Sequence, residues 1–339
     1  MKNYTLPKLN LVFFIIVWVS NSVPLFSQEI SPRKLYDIER PSARVTGAPG
    51  EMSYIKQDCD PKGGDGLRKR IVHTAIQEWA YFGFQVYDLT HTRDDNPEYL
   101  RQPWTRPVID IDAASRVADA IAGYWSSTPD SQWILERQNQ YWNERGAGSR
   151  WRNPWSAAFI SWVICESGID DPERFKRAVA HHVYIDQAIF NRDKGDSQGL
   201  YFAYDIGEEF IEPGDLLCRS SRPHYNTLAA RKAQIGVGAR THCDFVVKLD
   251  EEKKRIMVIG GNVRAWVRLK LLPADYSQGG AIIPAPYDGR RIFAHLKLQA
   301  KNVSDMVFEE SLSLWQQRCG KNNADLEEII SVDAGLCSD

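Results

Sequence analysis

One run of the chain constrains its folding most: Asn153-Pro154-Trp155-Ser156-Ala157-Ala158-Phe159-Ile160-Ser161-Trp162-Val163-Ile164-Cys165. Proline is tolerated in a first helical turn, and Gly168 follows where a helix ends. Between them the run is apolar nearly all round, so the helix it predicts belongs inside a core. Its first turn shows one small polar side chain, Ser156. A helix start leaves backbone N–H groups free and carries partial positive charge. A nucleophile is well placed there, although serine at a helix start is also a common cap.

The chain has 339 residues, enough for one large domain or two small ones, with 43% apolar and 25% charged residues. The net charge of −2 gives no reason to expect nucleic acid as a partner. Lys2 and Lys8 precede an apolar run from Leu9 to Val19. That run is short for a bilayer, and small residues follow it, as in a secretory leader. Residues 1–27 are therefore expected to be removed, leaving an exported, periplasmic or secreted protein with no membrane anchor. Six cysteines lie far apart with no CxxC pair, which argues against a zinc knuckle. Export would let some of them pair. Cys319 and Cys337 would close one short loop, and Cys165, inside the apolar helix, reads as a free core thiol.

Residues 28–66 are polar and rich in Pro and Gly, and read as an arm or linker. Helices are expected from Leu67 to Phe82, Ile111 to Trp125, Ser131 to Asn143 and Pro172 to Ile189. Residues 191–207 and 220–240 read as loops, the second one basic. Residues 271–339 read as an extension with a helix from Asp305 to Gln317. The fold expected is α+β: a helical N-terminal region and a central helix packed on a small antiparallel sheet, the main domain spanning 67–270.

Glu212-Pro213-Gly214-Asp215-Leu216-Leu217 reads as a turn into a strand. Beyond it, His242 to Leu249 and Arg255 to Asn262 form a hairpin around a charged turn. If Leu249 opposes Arg255, His242 opposes Asn262, and directly opposed side chains share a face. Gly260 and Gly261 suggest close backbone approach there. A histidine oriented by an asparagine is the base half of a nucleophilic triad. This gives Ser156 as nucleophile, His242 as general base and Asn262 as its orienter. Cys243 would point to the opposite face from His242. Trp155, His181, Tyr184 and Asp244 are weaker candidates for substrate contact. A zinc site from His181, His242 and Asp244 lacks the ligand spacing of known metal motifs, so no metal or cofactor is expected.

The motifs Pro-Trp-Ser-Ala-Ala-Phe-Ile-Ser-Trp-Val, Pro-Gly-Asp-Leu-Leu, His-Cys-Asp-Phe-Val-Val and Ile-Gly-Gly-Asn-Val resemble, in that order, those of papain-like cell-wall hydrolases, the cysteine-, histidine-dependent amidohydrolase/peptidases. The chain resembles more closely a bacterial domain-of-unknown-function family, number 2272. An Arg-x-x-Ile-Val-x-x-Ala-x-x-Glu-Trp helix ending at Glu78 and Trp79 and a His-x-x-Tyr-Ile segment from His181 to Ile185 carry that likeness. The resemblance implies a papain-like core and cleavage of an amide bond, with cell-wall or other peptide as substrate. Ser156 stands where those hydrolases have cysteine, so a catalytically inactive binding module on the same scaffold is the alternative. No role for Glu78 follows from the likeness, and none for a protein partner.

Overall fold

The computed structural model describes residues 38–64, 66–91, 111–311 and 313–314. The leader expected at 1–27 and the cysteines at 319 and 337 lie outside the described residues. The architecture is mixed α/β. A short hairpin, β1 (Val45–Thr46) with β2 (Ser53–Tyr54), precedes helix α1 (Leu67–Tyr81) and strand β3 (Val86–Asp88). Helices α2 (Ile111–Arg116), α3 (Ala118–Ser126), α4 (Gln132–Arg145), α5 (Ser156–Glu166) and α6 (His181–Lys194) follow. The rest is mainly β: β4 (Tyr201–Tyr204), β5 (Leu216–Arg222), a short helix α7 (Leu228–Lys232), β6 (Arg240–Asp250), β7 (Arg255–Val263), β8 (Trp266–Tyr276), β9 (Ile282–Pro284) and β10 (Ile292–Leu298).

The sheet is larger than the small antiparallel one expected. It has eight strands in the order β3-β8-β7-β6-β5-β10-β4, with β9 beside β8, and β3 pairs with β8 in parallel. Strand alternation divides its two faces. Leu216, Phe245, Val247, Met257, Ile259 and Leu271 pack against the helices, around Trp79, Tyr124, Phe159 and Trp162. Leu217, Val246, Val258 and Leu272 face the other way, into a second core closed by Ile211, Ile282 and Tyr287.

Several expected boundaries shift. The helix from Ile111 breaks at Val117. Residues 172–180 form turns, and the helix expected there starts at His181. The 191–207 loop contains β4, and the 220–240 loop contains the end of β5 and α7. Thr227 caps α7 by accepting from the Ala230 N–H, and Arg231 forks onto Asp186 of α6 at 2.7 and 2.6 Å. Residues 305–310 form turns rather than a helix.

Both flanks of the expected domain take part in the fold. Within the segment read as a linker, the described residues 38–64 are packed: Arg44 is buried, donating to Ser126 Oγ and the Asp58 carbonyl. The C-terminal extension supplies β10, which lies between β5 and β4. Long-range pairing of that kind leaves no local signature.

Disulfides also depart from expectation. Cys165 is bonded to Cys59, across 106 residues, and Cys218 to Cys243, directly opposed on β5 and β6. Cys165 is thus no free thiol. Its burial, read as a hydrophobic role, reflects a cross-link that holds the N-terminal segment to α5. No helix among the described residues is long and apolar enough to cross a membrane.

Candidate functional site

Helix α5 runs through the middle of the molecule, as its apolar circumference requires. Residues from Ala157 to Glu166 are all buried. Its start carries no side-chain cap, so the N–H groups of the first turn point outward unpaired by the helix. Ser156, the first helical residue, is half-buried and the polar exception. Trp155 precedes it, but its ring lies in the core, 5.9 Å from the Phe82 ring and 5.7 Å from that of Tyr124. Trp155 is therefore a packing residue rather than a substrate contact.

The partner of Ser156 is His181, not His242. His181 Nε2 lies 2.7 Å from Ser156 Oγ. It reaches there from the first turn of α6, and Tyr184, one turn on, meets its Nδ1 through the hydroxyl. The backbone N–H of Cys243 also donates to that Nδ1, at 3.2 Å. An amide N–H can only donate, so Nδ1 must carry the lone pair. Burial, joined by the nearby charge of His242, pushes the ring's pKa well below the ordinary value, so it is neutral. The proton of a neutral imidazole then resides on Nε2, and His181 donates to Ser156 Oγ.

His242 occupies the beginning of β6, on the sheet face opposite Cys243. Its Nε2 bonds Asp244 Oδ1 at 2.9 Å, and the other oxygen of Asp244 takes a close ion pair from Lys270. These two residues are two apart on one strand and share a face. Lys270 joins them from β8 because its partner Val258 lies on that face too. Burial is the leading cause of the lowered pKa of His242; Asp244 opposes it, and the result is about 4. Asp244 is also buried, which raises a carboxyl, but the charges of His242 and Lys270 outweigh this and hold it far below the carboxylate range. A neutral His242 donating from Nε2 to Asp244 leaves the Nδ1 lone pair for a proton. The rings of His242 and His181 are 5.1 Å apart, so the two histidines form one cluster with Ser156.

The meeting of these groups depends on where β6 and β7 stop pairing. The hairpin turn has Asp250 opposite Arg255 rather than Leu249, and a bulge between Val246 and Lys248 restores the expected register at Phe245↔Ile259. The ladder ends there. The Cys243 N–H consequently goes to His181. Asn262 lies beyond the ladder, half-buried with φ 57°, and makes no hydrogen bond to His242 among the described residues. Asp244, a weaker candidate for substrate contact in the sequence, is engaged by His242 and Lys270. Gly260 and Gly261 make this possible. A Cβ on Gly260 would overlap Asp244 Oδ1, and one on Gly261 would lie within 3.0 Å of Phe159 and Trp155. Among the described residues, no group of three His, Cys, Asp or Glu is arranged to hold a metal ion.

Two further basic groups that the sequence did not single out adjoin the cluster: Arg219, opposite His242 on β5, and Lys270 itself. The i, i+2 spacing of His242 and Asp244 was a usable signal; the approach of β8 was not.

A family model described as an uncharacterized protein conserved in bacteria (DUF2272) matches residues 112–298. The chain belongs to the DUF2272 family. The DUF2272 match contains Ser156, His181, His242, Asp244 and Lys270, and it extends through β10, past the expected boundary at residue 270. It starts after α1, so Glu78 lies outside it. No curated protein and no solved structure matches the chain.

Proposed function

We propose that this protein is an exported hydrolase that cleaves an amide bond in cell-wall or other peptide, with Ser156 as the nucleophile. The observation that carries the reading is the His242–Asp244 pair at 2.9 Å, set beside a histidine that already holds Ser156. His242, oriented through Nε2 by Asp244, takes the serine proton on Nδ1 and returns it to the leaving amine. His181, donating through Nε2, stabilises negative charge growing on Ser156 Oγ. The first-turn N–H groups of α5 face the carbonyl oxygen as it becomes an oxyanion. Asn262, the orienter expected from the hairpin, is replaced in this scheme by Asp244. The motif order supports a papain-like core and the cell-wall substrate class. The leader and the two disulfides fit an oxidising compartment outside the cytoplasm.

A second reading is a binding module that has lost turnover. It is favoured by Ser156 itself, which is far less acidic than a thiol and accepts, rather than donates, the hydrogen bond to His181. One experiment separates the two. Residues 28–339, wild type and Ser156→Ala, are incubated with peptidoglycan, and soluble products are mapped by mass. Fragments from wild type alone support the hydrolase and name the bond. Identical fragments from both remove Ser156 as nucleophile. Wall retention without fragments favours the binding module.

A further inference from the structure

We propose that the end of the sheet beside His242, on the face away from the helices, is an oxyanion subsite that holds a carboxylate or phosphate of the bound molecule. That this molecule is also the one attacked at Ser156 rests on the hydrolase reading above; the subsite does not.

The strand registers put the basic groups on one face. Arg219 opposes His242, Arg268 opposes Gly260, and Lys270, two residues on, reaches Asp244. A turn through Asp288 and Gly289 closes on a bridge between Tyr287 and Arg290; Tyr287 packs into the second core, and the charge of Arg290 reaches it. Among the described residues, Asp244 is the carboxylate that acts most on Lys270, His242 and Tyr287, against the positive charge of Arg219 and, at Lys270 and Tyr287, of Arg290. It is already shared between His242 and Lys270. Positive charge is therefore in excess at this place.

Two donors on this face lack an acceptor among the described residues. The Tyr287 hydroxyl is buried without a hydrogen-bond partner, in a residue only 5% exposed, and Arg268 Nε is buried likewise. Buried donors are almost always satisfied, since leaving one unmade is costly. The Tyr287 hydroxyl lies within the electrostatic reach of Arg219, Arg290 and Asp244, and Arg268 within that of Arg264 and Tyr87. An O–H donor and a guanidinium N–H amid excess positive charge suit an oxyanion, which accepts several hydrogen bonds at once. A neutral amide would satisfy the donors less well and leave the charge unbalanced. Oxyanions with two sources share this chemistry: the free carboxylate of a peptide end and a phosphate.

The test is calorimetric titration of the full mature chain with N-acetylalanine, N-acetylalaninamide and inorganic phosphate. Wild type, Ser156→Ala, Tyr287→Phe and Arg268→Gln are compared. The acid or phosphate should bind at least tenfold more tightly than the amide. Whichever of the two binds better names the source. Tyr287→Phe and Arg268→Gln should each weaken that binding about tenfold or more, as loss of a hydrogen bond to a charged group does. Ser156→Ala should bind as wild type does. Tyr287→Phe should also raise the melting temperature without anion, because it deletes an unsatisfied buried hydroxyl; this shows the variant to be folded. Affinity for the amide equal to that for both acid and phosphate, or undiminished anion binding by Tyr287→Phe, overturns the proposal. Anion binding without any peptide turnover keeps the subsite and sinks the hydrolase; turnover indifferent to substrate charge does the reverse.

Discussion

Asp244 is buried between two groups that need it for different reasons: His242 for orientation and Lys270 for charge balance. Removing one partner of a buried ion pair strands the other, at a cost of about 3 to 5 kcal/mol. Asp244→Asn should lose about that much in urea unfolding, and turnover should fall by about 10²- to 10⁴-fold. Adding Lys270→Met should recover most of the stability and none of the activity. Recovery of both would show that Asp244 serves only to neutralise Lys270. The low pKa of His242 has two pH consequences. As the proposed base it must be unprotonated, so the acid limb of kcat/KM should fall near pH 4 rather than near 6.5. For stability, His242 and His73 both have folded pKa values of about 4, caused first by burial. Between pH 6.5 and 4 the unfolded chain binds protons that the folded chain does not. Stability should therefore fall as pH drops through that window, and urea melts at pH 7, 5.5 and 4.5 would measure it. Glu78 behaves oppositely. Buried beside Tyr124, its carboxyl is raised to about 7, so it favours the fold below pH 4.5 and its contribution fades toward pH 7 and above. Of these residues, Ser156 and His242 were legible from a helix start and a strand pattern. His181 was visible only as a motif, because its hydrogen bonds join α6 to α5 and β6, and no local spacing encodes that.

At the scale of elements, β7 serves two layers through adjacent glycines. Gly261 lets α5 lie directly on the strand, and Gly260 leaves room for Asp244 and His242 on the other side. Substituting each with alanine should therefore give different outcomes. Gly261→Ala forces apart Phe159, Trp155 and the strand, and should cost about 1 to 3 kcal/mol by overpacking. Gly260→Ala displaces the histidine–carboxylate pair, and should lower turnover more than it lowers the melting temperature. Thermal melts and peptide turnover on both variants would test the contrast, and a similar profile for the two would refute it. The glycine pair was legible as a place of close approach, but not which neighbour approached. The bulge that corrects the β6–β7 register was not legible at all, since no Gly or Pro marks the Val246–Lys248 stretch in which it lies. Disulfide placement was misread for a related reason. Cys59 and Cys165 are 106 residues apart, and burial of Cys165 in an apolar helix looks the same for a thiol and a cross-link. Such a bridge is worth about 4 to 5 kcal/mol in the chain-entropy account, so Cys59→Ser with Cys165→Ser should lower the unfolding free energy by several kcal/mol in oxidising buffer.

For the molecule as a whole, helix positions and the central apolar run could be read from periodicity, whereas the sheet order could not. Strand β10 pairs with β5 and β4 from far along the chain, and its alternating side chains suit an edge or a centre equally well. What fixes its place is a buried polar junction. Asp215, the acid of the Pro-Gly-Asp turn, accepts from Arg68 of α1 at 2.8 Å, from His295 of β10 at 2.8 Å, and from the Leu298 and Glu212 N–H groups at 3.0 Å each. Arg68 also donates to the Pro213 and Leu298 carbonyls. Burial alone would raise the Asp215 carboxyl, but the hydrogen bond from His295 and the cations around it leave it below the usual carboxylate range. The junction therefore joins α1, the start of β5 and the end of β10, three segments distant in sequence. It lies four residues from Arg219 along β5, about 13 Å at the rise of a strand, so it is set apart from the candidate site. Asp215→Ala would leave buried Arg68 with only the more distant Glu212, at 3.6 Å, as a carboxylate partner, and should cost about 3 kcal/mol. The loss should appear as one cooperative transition shifted to lower urea, because all three segments release together. Turnover per folded molecule should stay within a factor of a few of wild type. A fall of tenfold or more at temperatures where the variant is fully folded would mean that this junction, and not only the histidine cluster, takes part in the chemistry.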